Sequence, residues 1–99
     1  MNDAQSKQPV TIYTTVFCSY CHGAKRLLDE KGVEYEAIDL TDRPDFREFL
    51  TKLTGQRTVP QILVHGEAIG GFNELVALEQ SGELDRMIEE GMEETPADA

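Results

Sequence analysis

The chain has 99 residues, enough for one compact domain and too few for two. Its 19 acidic against 9 basic side chains give a net charge of -10, which sets it against nucleic-acid backbones and anionic membrane surfaces. No apolar run approaches the ~18 residues of a membrane span and the first ten residues lack the apolar core of a signal peptide, so a cytoplasmic domain with no nucleic-acid or membrane partner is expected.

Residues 1–9 read as a flexible N-terminal segment, 10–89 as the folded body and 90–99 as an acidic flexible tail. In the body, the β-branched run from Val10 to Thr14 predicts a strand. A helix follows, with Ala24, Leu27 and Leu28 on its apolar face and Gly32 as its C-cap. Val33 to Leu40 reads as a second strand, and a strand, a helix and a strand in this order imply a parallel pair with a right-handed crossover. Asp42 and Pro44 are read as opening a second helix, with Phe46, Phe49, Leu50 and Leu53 on one stripe and Gly55 at its end. Gln61–Val64 and Glu67–Ile69, joined by His65 and Gly66, are too close for a crossover and form an antiparallel hairpin. Gly70 and Gly71 lead into a helix that stops near Gly82, and Leu84, Met87 and Ile88 mark a last helical stripe. The expected fold class is α/β, a four-stranded mixed sheet flanked by helices.

Charge is distributed unevenly. Seven acids and one base fall between Glu83 and Ala99, whereas Ala4–Leu28 and Phe49–Gly66 contain bases and no acid. The two acid-free stretches point to a shared anionic ligand, or are ordinary solvated bases spaced by chance.

The chemistry centres on Cys18-Ser19-Tyr20-Cys21, between the first strand and the first helix. Free amides and a partial positive charge at a helix N-terminus favour a thiolate there, which makes Cys18 the activated member. Cys21 lies three residues on, where helical Cβ separations of ~5–6 Å exceed the ~3.5–4.5 Å of a relaxed disulfide, so a bond between the two is strained and easily reduced. Half of a zinc site and two incidental thiols are the competing readings. Zinc wants four ligands, and only His22 and the distant His65 remain. Incidental thiols leave a C-x-x-C at a strand–helix junction unexplained.

With Ile12-Tyr13-Thr14, Cys18-Ser19-Tyr20-Cys21-His22, Thr58-Val59-Pro60-Gln61 and Ile69-Gly70-Gly71 in this order, the chain resembles the glutaredoxins, most closely the small bacterial dithiol type, over about Val10 to Ile88. The resemblance implies a thioredoxin-like fold, glutathione as ligand and reductant, and Cys18 and Cys21 as catalytic residues. It further implies a cis bond before Pro60, with the main chain of Val59 exposed to pair with the tripeptide. By itself, Pro60 reads as an ordinary strand-initiating proline, and only the resemblance favours the other role. Gly71, Phe72 and Asn73 resemble the pocket for the γ-glutamyl end, where helix amides meet a carboxylate. Arg57, with Gln56, is placed toward the glycine carboxylate, although Arg57 also reads as a solvated base, and Thr58 is implied as a further glutathione-binding residue. Tyr20 either flanks the ligand or covers apolar surface. The chain departs from the family in having Thr15 where a lysine is frequent, Ser19 where proline is usual, Gly23 where a base is common and Asn73 near a frequent acid.

The function this implies is glutathione-dependent reduction of protein–glutathione mixed disulfides and protein disulfides, by a monomer whose partners are glutathione and the oxidised proteins. Two other classes remain. One is an iron–sulfur carrier, a homodimer holding one [2Fe-2S] cluster through two Cys18 thiolates and two glutathiones. The other is thioredoxin-like reduction by an enzyme partner.

Overall fold

The computed structural model describes residues 9–89, so the expected flexible segment 1–9, apart from Pro9, and the expected tail 90–99 lie outside the described residues. The element order is β1 (Val10–Thr14), α1 (Ser19–Lys31), β2 (Tyr35–Asp39), α2 (Phe46–Thr54), β3 (Gln61–Val64), β4 (Glu67–Gly70) and α3 (Phe72–Ser81). Residues 83–89 form a further helix, α4. The sheet order is β2-β1-β3-β4, with β1 and β2 parallel and the other two pairings antiparallel. This is the mixed four-stranded sheet expected from the pattern.

Alternation along β1 decides which face each helix covers. Val10 and Ile12 are fully buried and share one core with Ala24 and Leu28 of α1, Leu75 of α3, and Leu84 and Ile88 of α4. Tyr13 points to the opposite face and packs edge-on against Phe49 of α2, ring centroids 5.6 Å apart. Helices therefore lie on both faces, and the helical residues at i, i+3 and i+7 (Cys21, Ala24, Leu28) form the buried stripe of α1. Gly32 ends α1 in the left-handed region, its amide bonded to the carbonyls of Asp29 and Leu28, as its C-cap role requires.

Two boundaries differ from the pattern. β2 is confined to Tyr35–Asp39, because only these five residues find partners on β1. α2 starts at Phe46, not at Asp42 or Pro44: residues 41–45 form turns, and Asp45 is the N-cap without a side-chain capping bond. The Asp45 carboxylate is instead held by Arg43 Nε at 2.7 Å. Leu53, assigned by spacing to the buried stripe of α2, is 42% exposed. Only Leu50 of that helix is fully enclosed.

Lys31 joins three helices, reaching Glu79 of α3 at 2.7 Å and Asp85 of α4 at 2.8 Å. At the opposite end of α4, the carbonyl of Ile88 lies 2.8 Å from His65 Nε2 in the β3–β4 turn. Among the described residues no helix is long and apolar enough to cross a membrane.

Candidate active site around Cys18

Cys18 is the N-cap of α1, with φ -115° and ψ 109°. That extended backbone turns its side chain toward the first helical turn, as in a serine or aspartate cap, and Sγ accepts the Cys21 amide at 3.2 Å. The sulfur thus faces a helix terminus whose first amides have no carbonyl partner in the helix. Two tertiary bonds hold the loop before it. Leu40 N donates to Thr14 O at 2.8 Å and Val16 N to Thr41 Oγ1 at 2.9 Å.

The two thiols differ sharply. Cys18 is half-buried and Cys21 is fully enclosed. Burial, followed by the hydrogen bond to Cys18, pushes the Cys21 thiol up to about 12, while a backbone bond from Thr15 and the charge of Lys25 act the other way. Cys21 is therefore a protonated thiol at neutral pH, and Cys18 is the accessible one.

Opposite Cys18 lies the Val59–Pro60 peptide bond, which is cis. As a thiol, Cys18 donates to Val59 O at 3.6 Å. The loop is backed by Gln61, which is fully buried and donates to Thr58 Oγ1 at 3.3 Å, while its Oε1 has no partner. From Val59 a groove of about 220 Å³ runs between this loop and the start of α3. Gly70 has φ +114°, and a Cβ there would stand 2.8 Å from Glu74 Cγ. A Cβ on Gly71 would stand 3.2 Å from Pro60 O, so glycine lets the N-terminus of α3 close against the cis-proline loop.

Tyr20, Gln56, Thr58, Val59, Pro60, Gly71, Phe72 and Asn73 all line this groove. Tyr20 and Phe72 form one wall, their ring centroids 5.9 Å apart. Arg57 is the exception. It lies on the far side of the loop, lining a separate cleft with Arg47, Glu48, Thr51 and Lys52 of α2. Consecutive residues of an extended loop point to opposite sides, so Gln56 and Thr58 face the groove and Arg57 faces away.

One lining residue was missed by the sequence reading. Glu74 lines the groove and accepts the Gly71 amide at 2.9 Å, the acid half of a capping box. Its position three residues after the Gly-Gly pair was the available signal. Thr15 lies outside the groove, in a hollow with His22, Lys25 and Asp39.

The donor set for a metal is sparse. Among the described residues no three His, Cys, Asp or Glu side chains converge, and of the two thiols only Cys18 is accessible. The alternative reading, a [2Fe-2S] dimer, thus finds no support beyond one accessible thiol per chain.

Residues 10–69 match the glutaredoxin family model. The glutaredoxin of Pseudomonas aeruginosa is 44% identical over 80 residues, covering 81% of this chain and 95% of that one. Glutaredoxin 3 of Escherichia coli K12 is 42% identical over 79 residues, covering 80% of this chain and 95% of its own. Among solved structures, the buckwheat glutaredoxin–glutathione complex superposes with a TM-score of 0.77 at 32% identity, covering 85% of this chain and 79% of that one. The glutaredoxin of Brucella melitensis gives 0.72 at 39% identity, covering 85% and 91%.

Proposed function

The chain belongs to the glutaredoxin family of thiol–disulfide oxidoreductases with the thioredoxin-like fold, and from that premise we propose that glutathione is both its bound ligand and its reductant. The observation that carries this reading is the 3.6 Å approach of Cys18 Sγ to Val59 O at the head of the groove. A tripeptide paired with the main chain of Val59 as an added strand brings its own sulfur beside Cys18. The first-turn amides of α3 and Asn73 then meet the γ-glutamyl carboxylate, Glu74 supplies negative charge for the neighbouring ammonium, and Gln56 and Thr58 face the glycine end. The buckwheat relative was solved as a complex with glutathione, which supports glutathione as the ligand.

In the reaction, the Cys18 thiolate attacks the glutathione sulfur of a protein–glutathione mixed disulfide. A bond forms between Cys18 and glutathione, the protein sulfur leaves with the electron pair and takes a proton from solvent. A second glutathione thiolate attacks the glutathione sulfur held on Cys18, yielding glutathione disulfide and freeing Cys18. Cys21 stays protonated throughout. For a protein disulfide, Cys18 first bonds one substrate sulfur. Cys21 then displaces the substrate, its proton passing to the departing thiolate, and two glutathiones reduce the resulting Cys18–Cys21 bond.

Turnover of a glutathionylated peptide with glutathione, NADPH and glutathione reductase tests the reading. Steady NADPH consumption dependent on this protein is expected. Absence of turnover with glutathione, together with turnover driven by thioredoxin reductase alone, would overturn it.

A further inference from the structure

Resting on that reading, we infer that the cationic cleft on α2 is a docking surface for an acidic segment of the protein substrate, placed beside its oxidised cysteine. The cleft measures about 550 Å³ and is lined by Arg47, Glu48, Thr51, Lys52 and Arg57, all exposed. It continues past Arg47 and Arg57 to Pro44 and Asp45. Asp45 is already engaged by Arg43 at 2.7 Å, which leaves Glu48 as the cleft's one acid outside an ion pair against three bases.

The grouping of those bases in one cleft is the feature that matters. Among the described residues, Lys31, Arg43 and Arg86 have acidic partners. Among the described residues Arg47, Lys52 and Arg57 form no ion pair, as is also true of Lys25 and Arg26 on α1, but only the first three share one cleft. The guanidinium of Arg47, which lines the cleft, also lies 4.7 Å from the Phe46 ring centre. In a chain of net charge -10, this is a local field of the opposite sign, and it attracts what the rest of the surface repels.

Position links the cleft to the chemistry. Arg57 stands between Gln56 and Thr58, which line the glutathione groove on the other side of the same loop. A substrate whose mixed disulfide lies at Cys18 has its flanking chain free to cross this loop. The length of the cleft, which runs from Lys52 and Arg57 past Arg47 to Pro44, suits an extended polypeptide. Arg47 and Lys52 are five residues apart, ~7.5 Å along a helix, and alternate acids of an extended chain repeat every ~6.6 Å.

The test uses two glutathionylated peptides of equal length that differ only in flanking Glu or Gln residues, with the mixed disulfide of glutathione and mercaptoethanol as a small substrate. The Glu peptide is expected to show a kcat/KM roughly three- to tenfold above the Gln peptide at low ionic strength, vanishing in high salt. R47Q/K52Q removes this preference and leaves turnover of the small substrate unchanged. A second arm is independent of catalysis: a cysteine-free Glu peptide is titrated into isotope-labelled protein, and amide shifts across residues 47–58 are expected. Equal kcat/KM for the two peptides, or an absence of those shifts, overturns the inference. Saturation of the same amides by inorganic phosphate but not by the peptide also overturns it, reassigning the cleft to a small anion. If the wild type fails on every glutathione mixed disulfide, the glutathione reading falls while the titration still decides the cleft.

Discussion

The ring of Phe72 at the start of α3 lies directly over Gly23 in α1. A Cβ at position 23 would stand 3.1 Å from Phe72 Cε1 and 3.3 Å from Cζ, tighter than ordinary van der Waals contact. Phe72 in turn contacts Tyr20, so a residue without a side chain sets the position of the aromatic wall of the groove.

Gly23→Ala therefore has two opposed effects. Alanine in a helix interior gains about 0.5–1 kcal/mol over glycine, and the clash with Phe72 takes this back by pushing the ring toward the groove. A melting temperature close to wild type is expected, with KM for a glutathione mixed disulfide raised about two- to fivefold and kcat kept. In a Phe72→Ala background the same change should stabilise the fold and leave KM where it was. A KM unmoved in the single variant contradicts the proposed wall.

Cys18→Ser should abolish reduction of glutathione mixed disulfides, since no other accessible thiol lies at the head of α1. Cys21→Ser should retain most of that activity and lose reduction of protein disulfides, because only the second reaction needs a resolving thiol. Steady-state rates on a glutathionylated peptide and on a disulfide-bonded protein distinguish the two roles. Equal loss in both variants on the first substrate rules out the one-thiol route.

The raised Cys21 thiol leads to a pH effect of defined sign. The folded state favours the protonated form up to about 12, whereas an unfolded cysteine ionises near 9.0. The stabilisation is complete below 9 and is lost as pH rises between the two values. Under reducing conditions, the stability of wild type relative to Cys21→Ala should fall across that interval, as measured by urea unfolding at stepped pH. In parallel, iodoacetamide at pH 8 should label Cys18 and leave Cys21 unmodified until the protein unfolds.

Lys31→Gln should destabilise the fold by about 1 kcal/mol, since one ammonium with 16% side-chain exposure serves both Glu79 and Asp85. These partners, Asp85 first, raise the Lys31 pKa, so the contribution is complete at neutral pH and disappears only above the lysine range. The difference in melting temperature between the two proteins should shrink in high salt.

Much of the fold was legible because it is written in local chemistry. Val10, Ile12 and Thr14 alternate on one strand face, Gly32, Gly55 and Gly82 end helices in the left-handed region, and the two residues between Val64 and Glu67 leave room only for a hairpin. The Cys18–Cys21 site was legible for the same reason: a motif placed at a strand–helix junction fixes a helix cap and a sulfur facing its amides.

The remainder depended on pairings and packing that the hydrophobic pattern does not contain. The start of α2 at Phe46 followed from turns between 41 and 45 and from the Arg43–Asp45 pair, which draws the Asp45 carboxylate away from a capping role. The exposure of Leu53 depends on the area of sheet that α2 covers, which its own 3.6-residue period does not contain. Glu74 joined the groove and Arg57 left it because the cis-proline loop and the N-terminus of α3, separated by about ten residues, pack at Pro60 O and Gly71. The sequence by itself determined the local devices: strand alternation, helix ends and the cap that exposes Cys18. Only the tertiary structure decided which side chains share a wall, since that depends on how elements meet across the sheet, and close packing allows one arrangement of Phe72 over Gly23 that no local pattern encodes.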